Sequence, residues 1–163
     1  MAIHKLDLGE FDEIDYHLIA IHTSLEDYRL AYFINQKLPI NLGKNKNEIQ
    51  INIKEGETKF SRFYYHDAEK GISWNLIQNK SEVIQQKNDN RQNNLFSNIS
   101  MEVSTKVYLL PEFKKADYFL KIENLEDDLN ITAIQVLLNT IDNISTAYTV
   151  ETNKIKSKNN LIF

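Results

Sequence analysis

The architecture follows first from residues 14–39, whose sequence is IDYHLIAIHTSLEDYRLAYFINQKLP. Residues 14–23 alternate as in a strand, and toward Ile21 both faces of that strand become apolar, which is typical of a central strand. Apolar residues then recur every three or four positions from Leu25 to Ile34, which is typical of an amphipathic helix. Pro39 ends that helix, because proline disfavours helical backbone in the residue before it. The stretch therefore predicts a strand followed directly by a helix.

The hydrophobic period changes to two after Glu48. Ile49, Ile51 and Ile53 alternate with polar residues, so this segment predicts a half-buried strand. Two more strands are predicted beyond it, with tight turns between them, and we expect the three to form an antiparallel meander. The three predicted strands cover residues 49–54, 60–65 and 72–76.

The second half of the chain predicts a similar mixture of elements. Residues 87–94 are almost all amides and charges, so we expect an exposed, mobile loop there. Acidic residues at 126–128 favour a helix start, and apolar residues continue at helical spacing to Ile141. Strands are predicted on both sides of that helix, at 103–110, 116–122 and 144–152.

Together these elements predict an α+β fold. The order is β-α-β-β-β, loop, β-β-α-β, and two helices can cover only one face of so broad a sheet. We expect a two-layer domain whose largely antiparallel sheet has two helices packed on one face, with the other face partly open. The domain covers residues 1–152, and residues 153–163 form a polar C-terminal tail that we expect to be frayed.

Bulk properties exclude several classes of protein. A length of 163 residues fits one domain. The absence of cysteine excludes disulfides, thiolate nucleophiles and Cys-ligated metals. A formal net charge of −4 argues against a general nucleic-acid surface. No apolar run approaches the roughly 20 residues that span a bilayer, and the N-terminus lacks the pattern of a signal peptide. We therefore expect a soluble cytoplasmic protein that makes no contact with a membrane.

One short motif is similar to that of a known family. Residues Leu110-Pro-Glu-Phe-Lys-Lys-Ala-Asp-Tyr118 resemble the signature of the bacterial IPExxxVDY family, with Leu110 for isoleucine and Ala116 for valine. Both replacements keep an apolar side chain. The resemblance names a family and implies no particular activity.

The motif also supplies candidate site residues. Pro111 would end a strand, Glu112 would begin a helical turn, and Tyr118 would face the core. Alternatively, Glu112 and Asp117 form a carboxylate pair for acid–base chemistry. Arg29 is the other candidate, because arginine occurs only three times and is suited to binding carboxylates or a small anionic ligand. We expect Arg29 either to pair with Asp117 or Glu112, or to lie exposed on its helix.

Other patterns favour neither a metal nor a cofactor. The four histidines have no metal-ligand spacing, and the glycines are isolated, so neither a metal site nor a phosphate loop is predicted. Aromatic residues of the middle strands could form a base-stacking platform or a hairpin core. These residues are Phe60, Phe63, Tyr64, Tyr65 and Trp74.

Three functional hypotheses follow, with no catalytic residues and no cofactor predicted. The first is a non-catalytic protein-interaction module that binds a protein partner or itself through its open sheet face or a sheet edge. The alternative is a small-molecule-binding regulatory domain of ferredoxin-like type. The third is an RNA-associated accessory protein. An enzyme built on Glu112 and Asp117 ranks last. The candidate ligand or interaction residues are Arg29, Glu112, Asp117 and Tyr118.

Overall fold

The computed structural model describes residues 15–88, 100–125 and 128–163. Within these ranges the chain forms a six-stranded antiparallel sheet, two smaller hairpins and two helices, which confirms the predicted α+β fold. The elements are β1 (Tyr16–Thr23), α1 (Asp27–Lys37), β2 (Gly43–Lys44), β3 (Ile49–Ile53), β4 (Gly56–Phe60), β5 (Arg62–Asp67), β6 (Ile72–Gln78), β7 (Lys80–Asn88), β8 (Ser100–Tyr108), β9 (Tyr118–Glu123), α2 (Asp128–Asn139) and β10 (Ile144–Thr149).

The main sheet has the strand order β10-β1-β9-β6-β5-β2, and each neighbouring pair is antiparallel. Helix α1 follows β1, and α2 connects β9 to β10. The first four strands of this order and the two helices therefore form a β-α-β-β-α-β core. Strand β1 is central, as its sequence predicts, and Leu18 to Ile21 have no exposed surface.

Both helices pack on the same face of the sheet. Ile19 and Ile21 of β1 contact this layer, as do Leu30 and Ile34 of α1. Helix α2 contributes a further apolar stripe, which consists of Ile131, Ile134 and Leu138. On α1, Tyr28 and Tyr32 share the apolar spacing but lie exposed, because the helix turns Leu30, Ala31 and Ile34 toward the sheet.

The opposite face of the sheet carries a second apolar core. Leu18, Ile77 and Phe119 point to this side, because side chains alternate along a strand. Two hairpins, β3–β4 and β7–β8, cover them with residues such as Phe60 and Val83. The expectation that this face stays open is therefore wrong over its apolar part. The sequence pattern shows which residues are apolar, but it does not show that long hairpins fold back over them.

The predicted meander is also wrong, since the chain passes from the β3–β4 hairpin into the main sheet at Ser61. Strand β4 ends at Phe60 and pairs with β3, whereas β5 begins at Arg62 and pairs with β6. The chain leaves the main sheet at Asn79, after β6. The next strand, β7, was not predicted from the sequence. Lys87 and Asn88, expected in a mobile loop, belong to β7. The rest of that predicted loop and the acidic residues 126 and 127 lie outside the described residues.

Residues 152–163, here called the C-terminal segment, pack against the domain. Ile155 and Leu161 are buried in the second core. The expectation of a frayed end is wrong, because these two apolar side chains anchor an otherwise polar stretch. Across the described ranges, no helix is long and apolar enough to cross a membrane.

Candidate functional site

The motif residues Leu110–Tyr118, here called the signature loop, connect β8 to β9 through a short 3-10 turn at Pro111–Phe113. The fully buried Asn79 organises this loop. Its amide nitrogen donates to the carbonyl oxygens of Phe113 (2.9 Å) and Ala116 (2.8 Å), and its side-chain oxygen accepts from the N–H of Leu110 (2.9 Å). One asparagine thus satisfies three backbone groups of the loop.

The two carboxylates of the loop bind different parts of the protein. Glu112 accepts hydrogen bonds from the backbone N–H groups of Lys156 and Ser157, both at 2.8 Å, and so holds the C-terminal segment. Asp117 accepts from the N–H of Thr23 (2.9 Å) and forms an ion pair with Lys80 at 2.6 Å. The hypothesis of a Glu112–Asp117 carboxylate pair is therefore wrong, because each carboxylate holds its own neighbouring segment.

Tyr118 has a structural contact of the same kind. Its hydroxyl donates to the carbonyl oxygen of Leu25 at 2.8 Å and fixes the connection between β1 and α1. Burial, followed by the charges of Asp27, Asp117 and Glu26, raises the pKa of Tyr118 to about 12. The hydroxyl therefore stays protonated at neutral pH and acts as a hydrogen-bond donor.

Arg29 lies exposed on α1. Among the described residues it pairs with neither Asp117 nor Glu112, whose partners are backbone N–H groups, Lys80 and the Ser157 hydroxyl. The hypothesis that Arg29 fixes the signature loop is wrong, because α1 turns this position away from the sheet. Sequence spacing identified residues that stabilise the fold, but it missed Asn79, which gives no signal of its own in a polar stretch.

The contact between Glu112 and the C-terminal segment predicts a pH dependence. Burial acts to raise the pKa of Glu112, but N–H groups of Ser157, Glu112 and Lys156 and the Ser157 hydroxyl outweigh it and lower the pKa below its ordinary value. The lowered pKa stabilises the folded protein above the ordinary value of about 4.3, and this stabilisation is lost as pH falls through the folded pKa.

In an acid titration followed by NMR, we expect the amide signals of Lys156 and Ser157 to change with a midpoint below about pH 4.3. The Glu112→Gln variant should lack this transition. A midpoint at or above the ordinary glutamate value would contradict the assignment.

The face of the main sheet that the two hairpins cover is here called the hairpin-side face. A polar pocket of about 270 Å³ lies on it, beyond the apolar part of that face. Strands β5, β6 and β9 supply most of its lining, and Phe163 of the C-terminal segment forms one wall. The residues that line this polar pocket are Asn45, Arg62, Tyr64, Ser73, Asn75, Glu123 and Phe163.

Strand register places these side chains together. Tyr64 pairs with Asn75, which in turn pairs with Lys121. One step along the strands, Ser73 pairs with Glu123. Directly paired side chains in antiparallel strands share a face, so this end of the hairpin-side face is polar where the other end is apolar. The face predicted to be open is thus open only at its polar end.

Two polar atoms of the pocket residues are buried without a hydrogen-bond partner among the described residues: the side-chain oxygen of Asn75 and the Nε of Arg62. Asn75 is only 3% exposed. Burial lowers the pKa of the Arg62 guanidinium, against the opposing effects of Tyr64 and Glu123. A buried donor and a buried acceptor therefore lie in one pocket, and each lacks the partner that such groups have in most proteins.

The remaining charges of the pocket are balanced. The buried Lys121 Nζ lies 2.5 Å from a Glu123 carboxylate oxygen and donates to the carbonyl oxygen of Leu161 at 2.8 Å. The ring of Phe163 lies between two cations, with its centroid 4.7 Å from Lys121 Nζ and 4.7 Å from the Arg62 guanidinium carbon. Arg62 forms no ion pair with any described residue, so its positive charge is the one that can receive an anion.

A larger cavity of about 470 Å³ lies at the base of the β7–β8 hairpin, beside the end of β6, and Lys80, Lys106 and Tyr108 contribute to its lining. Lys80 is already paired with Asp117. None of the described residues lining this cavity has a buried polar atom without a partner. The smaller polar pocket is therefore the better candidate for a binding site.

Two other patterns considered in the sequence can be compared with the structure. The aromatic residues of the middle strands do not form one platform, because Phe60 packs on the hairpin side while Phe63 and Trp74 pack on the helix side. In the part of the chain that the structure describes, no three histidine or carboxylate side chains are grouped as metal ligands.

Comparison of the chain with family models, curated proteins and solved structures found no match. The resemblance of Leu110–Tyr118 to the IPExxxVDY signature therefore stays a prediction.

Proposed function

We propose that this protein is a small-molecule-binding domain and that its ligand, a small polar molecule with an anionic group, binds in the polar pocket. The observation that carries the proposal is the pair of unpartnered buried atoms, Asn75 Oδ1 and Arg62 Nε, in a single pocket. A ligand with an acceptor for Arg62 and a donor for Asn75 satisfies both.

The two unpaired atoms destabilise the protein without its ligand. Leaving a buried polar group unpaired costs about 1–3 kcal/mol, and two such groups side by side reduce a stability that is only about 5–15 kcal/mol in a typical domain. The side chains of Arg62 and Asn75 make no hydrogen bond to any described residue, so they support no other part of the fold in that way. Unpaired buried groups of this kind are found at binding sites, because a bound ligand forms the missing hydrogen bonds and stabilises the protein.

Charge and size support the same proposal. Glu123 is paired with Lys121, so Arg62 is the lining cation without an ion-pair partner among the described residues, and its guanidinium suits an anionic group. The volume of about 270 Å³ lies below the roughly 300–1,000 Å³ of clefts for drug-sized ligands, which favours a small metabolite. The β-α-β-β-α-β core is the element order of ferredoxin-like domains, which supports the alternative of a regulatory domain of that type.

The interaction-module hypothesis has less support. It relied on an open sheet face, and the β3–β4 and β7–β8 hairpins cover the apolar part of that face. Self-association through a sheet edge stays a prediction, which light scattering after size-exclusion chromatography tests.

Replacing Asn75 by leucine tests the proposal. We expect the free energy of unfolding without ligand to rise by about 1 kcal/mol, because an apolar side chain of similar shape removes an unpaired buried oxygen. Ligand binding should be lost in the same variant. Urea denaturation measures the first effect, and a thermal-shift screen with amino acids, nucleotides and sugar phosphates measures the second.

Asn35→Leu is the matched control. The side chain of Asn35 both donates to and accepts from the backbone of Leu42, so the same substitution there should lower stability. The proposal is overturned if none of the screened compounds raises the melting temperature of the unmodified protein, or if Asn75→Leu binds them unchanged.

A further inference from the structure

We infer that the ligand of the polar pocket is a free α-amino acid, an inference that rests on the proposed function. The pocket has a cationic donor at one end and two acceptors at the other. A zwitterionic α-amino acid presents the complementary pair, a carboxylate and an ammonium group attached to the same α-carbon.

Strand register creates this polarity. Arg62 lies on β5, Asn75 on β6 and Glu123 on β9, and these three strands are neighbours in the sheet. Tyr64 is the direct partner of Asn75, and Ser73 is that of Glu123. Arg62 and Glu123 are therefore the diagonal neighbours of Asn75 on its two sides. Diagonal neighbours lie roughly 7–8 Å apart, so the three side chains form a short line from positive to negative.

The carboxylate of the ligand binds at the Arg62 end. A guanidinium presents planar N–H donors that match the two oxygens of a carboxylate. Lys121 already contacts Glu123 and the Leu161 carbonyl, so one free positive charge is left for the ligand. A single negative charge matches it, whereas a doubly charged phosphate monoester would place unbalanced charge beside Glu123.

The ammonium group of the ligand binds at the Asn75 and Glu123 end. Asn75 Oδ1 lacks a donor, and the Glu123 carboxylate, which Lys121 contacts at Oε1, accepts through either oxygen. An ammonium group has three N–H donors and can reach both residues, whereas a hydroxyl group has one. This difference favours an amino acid over the corresponding 2-hydroxy acid.

Titration calorimetry of the full chain at neutral pH tests the inference. The probes are the twenty L-amino acids, then the amide and the 2-hydroxy analogue of the tightest binder, and inorganic phosphate with a panel of sugar phosphates. We expect at least one amino acid to bind saturably with a stoichiometry of one. Its amide lacks the carboxylate and its 2-hydroxy analogue lacks the ammonium group, so each should bind at least tenfold more weakly. Arg62→Lys, which keeps the charge but loses the planar fork, should also bind the amino acid more weakly.

The outcomes separate this inference from the proposed function. If a phosphate compound binds and no amino acid does, and Arg62→Met abolishes that binding, the amino-acid assignment is overturned while the pocket keeps its proposed function. An amide or 2-hydroxy acid that binds as tightly as the amino acid also overturns the assignment. If none of these probes binds, the proposed function fails with it.

Discussion

Replacing Asn79 by alanine is expected to lower the free energy of unfolding by about 4 kcal/mol. The substitution leaves the N–H of Leu110 and the carbonyl oxygen of Ala116 without their side-chain partner, whereas the carbonyl oxygen of Phe113 keeps the N–H of Ala116. Each unpaired buried group costs about 1–3 kcal/mol, so two such groups cost about 4 kcal/mol, although costs within one loop do not simply add. Urea denaturation followed by circular dichroism measures the change.

Asn153→Ala is the matched control for Asn79, since Asn153 is exposed in the C-terminal segment. Its substitution should change stability by less than about 0.5 kcal/mol. An Asn79→Ala variant that loses less than about 1 kcal/mol would show that the signature loop does not depend on this asparagine.

Replacing Arg62 by methionine is expected to weaken binding of the pocket's ligand by about 100-fold. A hydrogen-bonded charge pair that loses one partner in a buried site costs about 2–5 kcal/mol, and each 1.4 kcal/mol corresponds to a factor of about ten. The fold should survive, because Arg62 Nε makes no hydrogen bond with a described residue and methionine keeps an apolar stem against Phe163. Titration calorimetry with the ligand identified by screening measures the loss.

Arg29→Met is the control for this prediction. Arg29 is exposed on α1, on the other side of the sheet from the polar pocket, so its replacement should leave affinity within about twofold. Equal losses in the two variants would indicate that binding depends on overall charge, and the pocket would lose its assignment.

The sequence predicted the core of the fold because local patterns determine it. The apolar run that ends at Ile21 and the helical spacing after Leu25 were sufficient for β1 and α1. The passage of the chain from the β3–β4 hairpin into the main sheet at Ser61 was not predicted, because the aromatic residues on both sides of Ser61 were assigned to one strand, residues 60–65. Strand β7 was missed for a related reason: most of its residues are polar, and its partner β8 lies beyond a long intervening segment.

The candidate site could not be predicted in the same way. Asn75 lies between Trp74 and Leu76 in an apolar strand, and nothing local shows that it faces a polar end of the sheet. That property depends on the register with Tyr64 and Lys121. Arginine scarcity led sequence reasoning to Arg29, whereas Arg62 is the arginine that lines the pocket. The pattern of the sequence does not distinguish Arg29 from Arg62. The difference becomes visible only once the C-terminal segment is seen to pack its Phe163 ring over Arg62.

The most direct test of ligand binding at Arg62 is its own NMR signal. The chain contains three arginines, Arg29, Arg62 and Arg91, so protein labelled with ¹⁵N-arginine gives a simple Nε–H spectrum that substitution assigns. On titration with the tightest-binding L-amino acid, the Arg62 Nε–H signal should shift saturably while that of Arg29 stays in place. An Arg62 signal that does not move at saturating ligand would contradict the account.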